Sequence, residues 1–421
     1  MPTLRCGDNL RSVIDDGPAY ATYVLNRDFL QDGDYLFSKP VTIRSDQLPP
    51  AGVRVSPALI GPTLRGQYNV DVPGVVLQGV RIEGTNRDRN LVEVYGARFV
   101  LDRCYATGVD GGQRRAFYLA AQSTFLDSYI DNIVYPGNGD TQAIGAERGA
   151  HDVVIQNCFL QAAGEVVIVG GGDIGTESDL CRNWLINGCT LSKDLRWRHQ
   201  AGVAKNIFEL KAIRGCVVTN SILEHSWADA QIGFAVVLTP RNQYGGDPFA
   251  TIEDVLFDNV TIRGCAGGLS LLGRDDIQTS QRMARITFRN LRIEDLSRHT
   301  WGNGGNGRTI QILGGPQDLV FDGIDVQGGP SADSADPDGR NAVDSAILFD
   351  VRDERCERLV IRNARLCEGN YGIHASGDGV SVAGGLPALD AAAPGYQWDH
   401  VLIKRGGVRS FAYPTGTVLV D

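Results

Sequence analysis

Val255-Leu256-Phe257-Asp258-Asn259-Val260-Thr261-Ile262 is the stretch whose reading decides the fold. Val255, Phe257, Val260 and Ile262 are apolar, the residues between them are mostly polar, and Asn259 interrupts the alternation. Period-two patterning on both sides of one residue means two strands joined by a bend. An asparagine at that bend can take left-handed backbone geometry, and its amide can bond the matching asparagine of a neighbouring coil.

The pattern recurs outward in both directions. Downstream come ITFRNLRI around Asn290, LVFDGIDV around Gly323 and LVIRNARL around Asn363. Upstream are VVLQGVRI around Gly79, FVLDRCYA around Arg103, TFLDSYI around Ser128, VVIQNCFL around Asn157, WLINGCTL around Asn187 and VVTNSILE around Asn220. The intervals are 24, 25, 29, 30, 33, 39, 31, 33 and 40 residues. A third β-type segment follows each pair, among them NLVEVYG (90–96), EVVIVGG (165–171), NIFELKA (206–212) and TIQILGG (309–315). Three short strands per turn predict an all-β chain, a right-handed parallel β-helix of about ten coils, on the order of 48 Å long at one strand spacing per coil. A sandwich needs hairpin turns in place of this bend, and a propeller needs a regular blade of about 40–50 residues.

Residues 1–60 read as an N-terminal cap, with GDNLRSVIDDG as a short amphipathic helix and GDYLFSKPVTIRS as strands. Residues 61–380 read as the β-helix. Residues 381–421 read as an irregular coil and tail.

Composition bounds the rest. The 421 residues are 43% hydrophobic, enough to bury a core. The formal charge is -10, from Lys+Arg 40 against Asp+Glu 50, which argues against general nucleic-acid binding. No apolar run approaches a membrane span, so no membrane insertion is expected. No signal peptide is visible at Met1, so the expectation is synthesis in the cytosol, or a secreted chain whose signal was removed. The nine cysteines form no CxxC and have no histidine at zinc spacing, so they read as buried thiols. Arg274-Asp275-Asp276 reads as a solvated loop in preference to a calcium site, and no metal or other cofactor is expected.

Connections at 131–141, 192–205, 296–307 and 327–345 follow the strand pairs, and those at 172–182, 240–252 and 274–284 follow third strands. They predict a groove along the third-strand sheet. In NIFELKA, Phe208 and Leu210 alternate inward, so Glu209 and Lys211 are expected to point into that groove. A carboxylate beside an ammonium suits acid–base work, and equally an exposed ion pair. Lys205 adds charge. Arg241 suits carboxylate binding or stabilisation of an enolate-like charge, and equally a loop salt bridge. Glu165 is a candidate second carboxylate for a glycosidase pair, with a turn-stabilising role as the alternative. Trp197 and Arg198, with Trp227, Asn242 and Gln243, are candidate glycan contacts; each tryptophan reads equally as an anchor of its own loop.

The asparagine-marked coils resemble the pectate-lyase-like right-handed parallel β-helix superfamily over roughly residues 50–380. The stretch from QAAGE through KNIFELK to EHSWADAQIGFAVVLTPRNQ is similar to bacterial β-helix-repeat proteins. The resemblance implies the fold, and a polysaccharide or surface glycan as ligand. It carries no catalytic set onto these residues, and the acidic calcium cluster of a typical pectate lyase is missing. The resulting expectation is a glycan-binding and glycan-cleaving protein, a lyase through Lys205, Lys211 or Arg241, or a hydrolase through Glu209 with Glu165. The alternative is a non-catalytic phage virion protein similar to a tail spike, which would imply a homotrimer or virion assembly.

Overall fold

The computed structural model describes residues 3–109, 112–173, 175–328, 341–377 and 384–421. The chain divides into two units, one of Met1–Ile168 with Cys181–Val203, the other of Val169–Leu180 with Ala204–Asp421. Each is a right-handed parallel β-helix, its strands paired in parallel with those of the preceding and following coils.

In the first unit, Val76–Gln78, Phe99–Asp102, Ser123–Leu126, His151–Gln156 and Cys181–Asn187 form one ladder. Third strands Tyr35–Phe37, Tyr68–Val70, Asn90–Val94, Arg115–Leu119 and Gln142–Ala146 form another. Parallel pairing reaches into the N-terminal segment, where Ala21–Leu25 pairs with Val41–Ser45 and the latter with Val76–Gln78. The expected helix spans Leu10–Asp16 and buries Leu10 and Ile14. The Asn9 side chain caps it by accepting from the amides of Arg11 (3.1 Å) and Ser12 (3.3 Å).

In the second unit the long strands Ile252–Cys265 and Ala284–Leu296 carry the asparagine-marked bends inside them. Val218, Phe257, Phe288, Phe321 and Ile361 stand in one register row. The rings of Phe257 and Phe288 stack at 5.0 Å, those of Phe288 and Phe321 at 5.3 Å, and all three are buried. Identical positions in successive coils place like side chains one strand spacing apart, so the sequence repeat becomes a column of stacked rings. The neighbouring outward row alternates in charge. Arg289 pairs with Asp258 at 2.6 Å and Arg362 with Asp322 at 2.9 Å, each contact worth at most about 1 kcal/mol at the surface. Among residues expected to be irregular, Gln397–Lys404 is a strand in register with Val360–Cys367.

The bends take left-handed geometry, with φ of 53° at Asn157, 51° at Asn220, 55° at Asn259, 51° at Asn290 and 52° at Asn363. In two coils the left-handed residue is a neighbour of the expected one, Asp127 in place of Ser128 and Gly188 in place of Asn187. A second left-handed residue stands five positions earlier in most coils, as in Asp152, Asn183, Gly215, Asp254, Arg285, Asp318 and Arg358. The amide ladder is mixed. Asn259 donates to Asn220 at 2.8 Å, whereas Asn290 donates to Asp258 at 3.2 Å and Asn363 to Asp322 at 2.8 Å. Asn259→Ala is expected to cost about 1–2 kcal/mol in a urea titration, because alanine takes left-handed geometry poorly. Asn259→Gly is expected to recover most of that, since glycine adopts it freely.

All nine cysteines are free, Cys6 exposed and the other eight buried. Burial pushes the thiols of Cys104, Cys216 and Cys356 up to about 12.

Candidate functional site

Strand Phe208–Leu210 belongs to the third-strand sheet of the second unit and pairs with Phe234–Leu238. Phe208 and Leu210 face the core and are buried. Glu209 points the other way, yet only 4% of it is exposed, against the expectation of a side chain standing in an open groove. It accepts from the Asn206 amide at 2.6 Å and lies 3.5 Å from the Lys211 ammonium. These two neighbours fold over it, so the carboxylate forms the floor and the lysine the accessible edge, with 28% of the Lys211 side chain exposed.

Lys211 is placed by backbone bonds. Its amide donates to the Val169 carbonyl at 2.7 Å, and its carbonyl accepts from the Arg241 amide at 3.3 Å. Gly171 lies against the lysine stem: a Cβ there would sit 2.7 Å from Lys211 Cδ, on a backbone at φ +104°. A side chain at 171 would therefore displace the lysine.

Arg241 opens the next loop. It forms an ion pair with Asp276 and lies 3.9 Å from Asp275. Asp276 also binds Arg352 at 2.6 Å, and Arg352 binds Asp350 at 3.1 Å. Burial works to raise the Asp276 carboxyl, and Arg352 and Arg241 outweigh it, leaving its pKa lowered. The loop salt bridge named as the alternative for Arg241 is thus present, with 36% of the arginine side chain still exposed.

Gly171, Lys211, Arg241, Asn242, Gln243, Ile277 and Gln278 line a cavity of about 240 Å³. Its lining holds two cations, three amides and one aliphatic side chain. No carboxylate is in that lining: Glu209 (side chain 5% exposed) and Asp275 (wholly buried) sit behind the cations, and Asp276, the closest partner of Arg241, is 29% exposed outside it. The cavity therefore presents positive charge and amide donors and acceptors to a ligand.

Of the other sequence candidates, Asn242 and Gln243 join this cavity. Asn242 is buried and tied by its side chain to the carbonyls of Thr279 (3.3 Å) and Asp247 (3.4 Å). The Gln243 side chain is exposed, and the residue's backbone N–H donates to the Asp173 carboxylate at 3.0 Å. Lys205 is half-buried, already engaged, and outside the cavity lining. Glu165 lies in the first unit, 1% exposed, accepting from Gln142 at 2.8 Å. Gln142 in turn accepts from Arg115 at 2.6 Å. Trp197, in the short 3-10 turn Leu195–His199, and Trp227 are 4% and 2% exposed, which matches the loop-anchor alternative for each. Arg198 is half-buried in the same turn. Among the described residues no cluster of three or more His, Cys, Asp or Glu is placed to hold a metal ion.

Sequence reasoning missed Gly171, Ile277 and Gln278, and also Asp247. The carboxyl of Asp247 accepts from the Phe249 amide at 3.0 Å, and burial pushes its pKa up to about 6. The folded chain thus holds this proton more tightly than the unfolded chain. The associated stability is present below about pH 4 and lost as pH rises through about 6. Asp247→Asn removes that penalty. Its thermal midpoint is expected to exceed the parent's at pH 7 and to match it at pH 4, as read by calorimetry.

No protein-family model matches the chain, and no curated protein sequence matches it. Solved structures do. The catalytic domain of a GH87 α-1,3-glucanase in complex with nigerose matches at a TM-score of 0.52 with 11% identity, covering 100% of this chain and 67% of the glucanase chain. An alginate lyase from Paenibacillus sp. str. FPU-7 matches at 0.41 with 15% identity, covering 78% of this chain and 94% of the lyase. A tailspike protein, gp49 of Acinetobacter baumannii bacteriophage Fri1, described as a capsular polysaccharide depolymerase, matches at 0.42 with 10% identity, covering 98% of this chain and 58% of the tailspike. At 11% identity the glucanase match bears on the fold alone.

Proposed function

We propose that this protein is directed at a polysaccharide and that the Lys211–Arg241 cavity is a subsite for an acidic sugar unit of that chain. The observation that carries the reading is the lining itself: two cations and three side-chain amides face the cavity, with Glu209 buried beside Lys211 and Arg241 shared with the partly exposed Asp276. Amides and an exposed aliphatic side chain suit the hydroxyls and the apolar face of a sugar ring, and the cations suit its carboxylate. That the fold hosts enzymes and tail spikes acting on glycans is consistent with this, as analogy.

The chemistry such a clamp assists is elimination. Neutralising a uronate carboxylate acidifies the adjacent C–H; the proton passes to solvent, the clamp stabilises the enolate-like charge, and that electron pair then forms the C–C double bond as the glycosidic C–O bond breaks and its leaving oxygen takes a proton from solvent. Lys211 and Arg241 are the residues assigned that role. Glu209 holds Lys211 in place as its buried partner. Hydrolysis by a Glu209–Glu165 pair has less support, because each carboxyl is buried and hydrogen-bonded.

The test is incubation with a panel of acidic and neutral polysaccharides, reading reducing ends and unsaturated-uronate absorbance together. Both signals from an acidic polymer are the expected result. Reducing ends alone would replace elimination by hydrolysis. A second reading, a non-catalytic glycan-binding or virion protein, draws on the same buried ion pair, since Glu209 is already engaged by Lys211 and Asn206. It predicts saturable binding of acidic oligosaccharides without product. Its tail-spike-like form adds a homotrimer, read by light scattering.

A further inference from the structure

Two loops that border the Lys211–Arg241 cavity are stitched to each other. The buried carboxylate of Asp275 accepts from the Asn242 backbone N–H at 3.3 Å in one loop and from the Ile277 backbone N–H at 2.9 Å in the other. The Asn242 side chain adds its bond to the Thr279 carbonyl. Asp173 fixes the next two residues: one of its carboxylate oxygens accepts from the backbone N–H groups of Gln243 at 3.0 Å and Tyr244 at 3.1 Å. Gly245 then packs against the second loop, where an added Cβ would lie 2.4 Å from Gln278 Oε1.

The backbone on both sides of Tyr244 is therefore held to the cavity wall, while its side chain stays outside, the residue being 81% exposed. Ile277 is 71% exposed. Each of the two stands one residue before the Gly245–Gln278 contact, so both belong to the same rim. Exposed apolar side chains scattered singly are ordinary, but two on stitched loops at the mouth of one polar cavity form a platform. The cavity itself is small. Its volume of about 240 Å³ lies below the roughly 300–1,000 Å³ of drug-sized ligand pockets and suits a single sugar unit. The next unit of a chain leaving it has to cross the rim.

We infer that Tyr244 is the platform of a second subsite at this rim, stacking on the apolar face of the sugar unit joined to the acidic one, so that the protein recognises a chain of at least two linked units. This rests on the reading of the cavity as an acidic-sugar subsite. Charge selects the unit inside the cavity, and ring contact holds the unit outside it.

Titration calorimetry of the full chain with galacturonate and mannuronate, each as the monomer and the linked trimer, tests it. In the series that binds, the trimer is expected to bind about tenfold tighter than the monomer. Tyr244→Ala is expected to abolish that gain and leave monomer affinity unchanged, with an unaltered circular dichroism spectrum, and Tyr244→Phe to retain it. Lys211→Ala is expected to weaken monomer and trimer alike. Binding that Lys211→Ala weakens and Tyr244→Ala does not would overturn this inference alone, as would a trimer bound no tighter than the monomer. Equal weakening of both ligands by Tyr244→Ala would overturn the second subsite by placing the ring in the first. Absence of binding in both series, or binding indifferent to Lys211→Ala, would overturn the reading of the cavity and the inference with it.

Discussion

Lys211→Ala is expected to weaken binding of an acidic oligosaccharide by about 10- to 100-fold, the equivalent of about 1.5–3 kcal/mol for a hydrogen bond to a charged group. Turnover of an acidic polymer should fall by at least the same factor. The parent's affinity should drop as salt rises, and the variant's much less, because the interaction lost is electrostatic. Removing the lysine also leaves Glu209 buried without its counter-charge, which is destabilising by itself. The double variant Glu209→Gln with Lys211→Met separates the two effects. It retains an acceptor for Asn206 and has no unpaired charge, so it should be more stable than Lys211→Ala while binding no better. Binding that survives in both variants would remove Lys211 from the site.

Phe288→Ala is expected to cost about 3–5 kcal/mol in urea unfolding. Phe288 is the middle ring of the Phe257–Phe288–Phe321 column, and truncating it opens a cavity between two rings that are held by their own strands. Those neighbours cannot collapse inward without breaking parallel register, so relaxation should be small. Phe288→Leu fills much of the volume and should cost about half as much or less. Loss of helicity or of the N-terminal strands is not expected, because coils contact mainly their neighbours.

The column itself was legible in the sequence. Phe257, Phe288 and Phe321 each precede a bend residue by two, and period two fixes which face they share. The left-handed bends were legible too, through asparagine and glycine. The second left-handed position was missed because arginine occupies it in some coils, as at Arg285 and Arg358, and arginine carries no turn signal. The site was less legible. Alternation correctly turned Glu209 away from the core, but it cannot say whether loops and neighbouring side chains then cover that face. Trp197 and Trp227 show the same limit from the other side: an aromatic residue in a loop looks alike in sequence whether its ring meets a ligand or its own backbone. Ile277, Gln278 and Gly171 come to Lys211 from distant parts of the chain, and no local pattern links them.

The free thiols give the molecule an internal gauge of its own opening. Eight are buried, spread over both units, with Cys367 at the edge of a cavity, and burial suppresses the thiolate forms of Cys104, Cys216 and Cys356. An alkylating reagent in native buffer should mark Cys6 at once and reach the fully buried thiols only when a coil breathes. The order in which Cys104, Cys216, Cys265 and Cys356 become labelled, read by peptide mass, would then rank the coils by local stability without a single substitution.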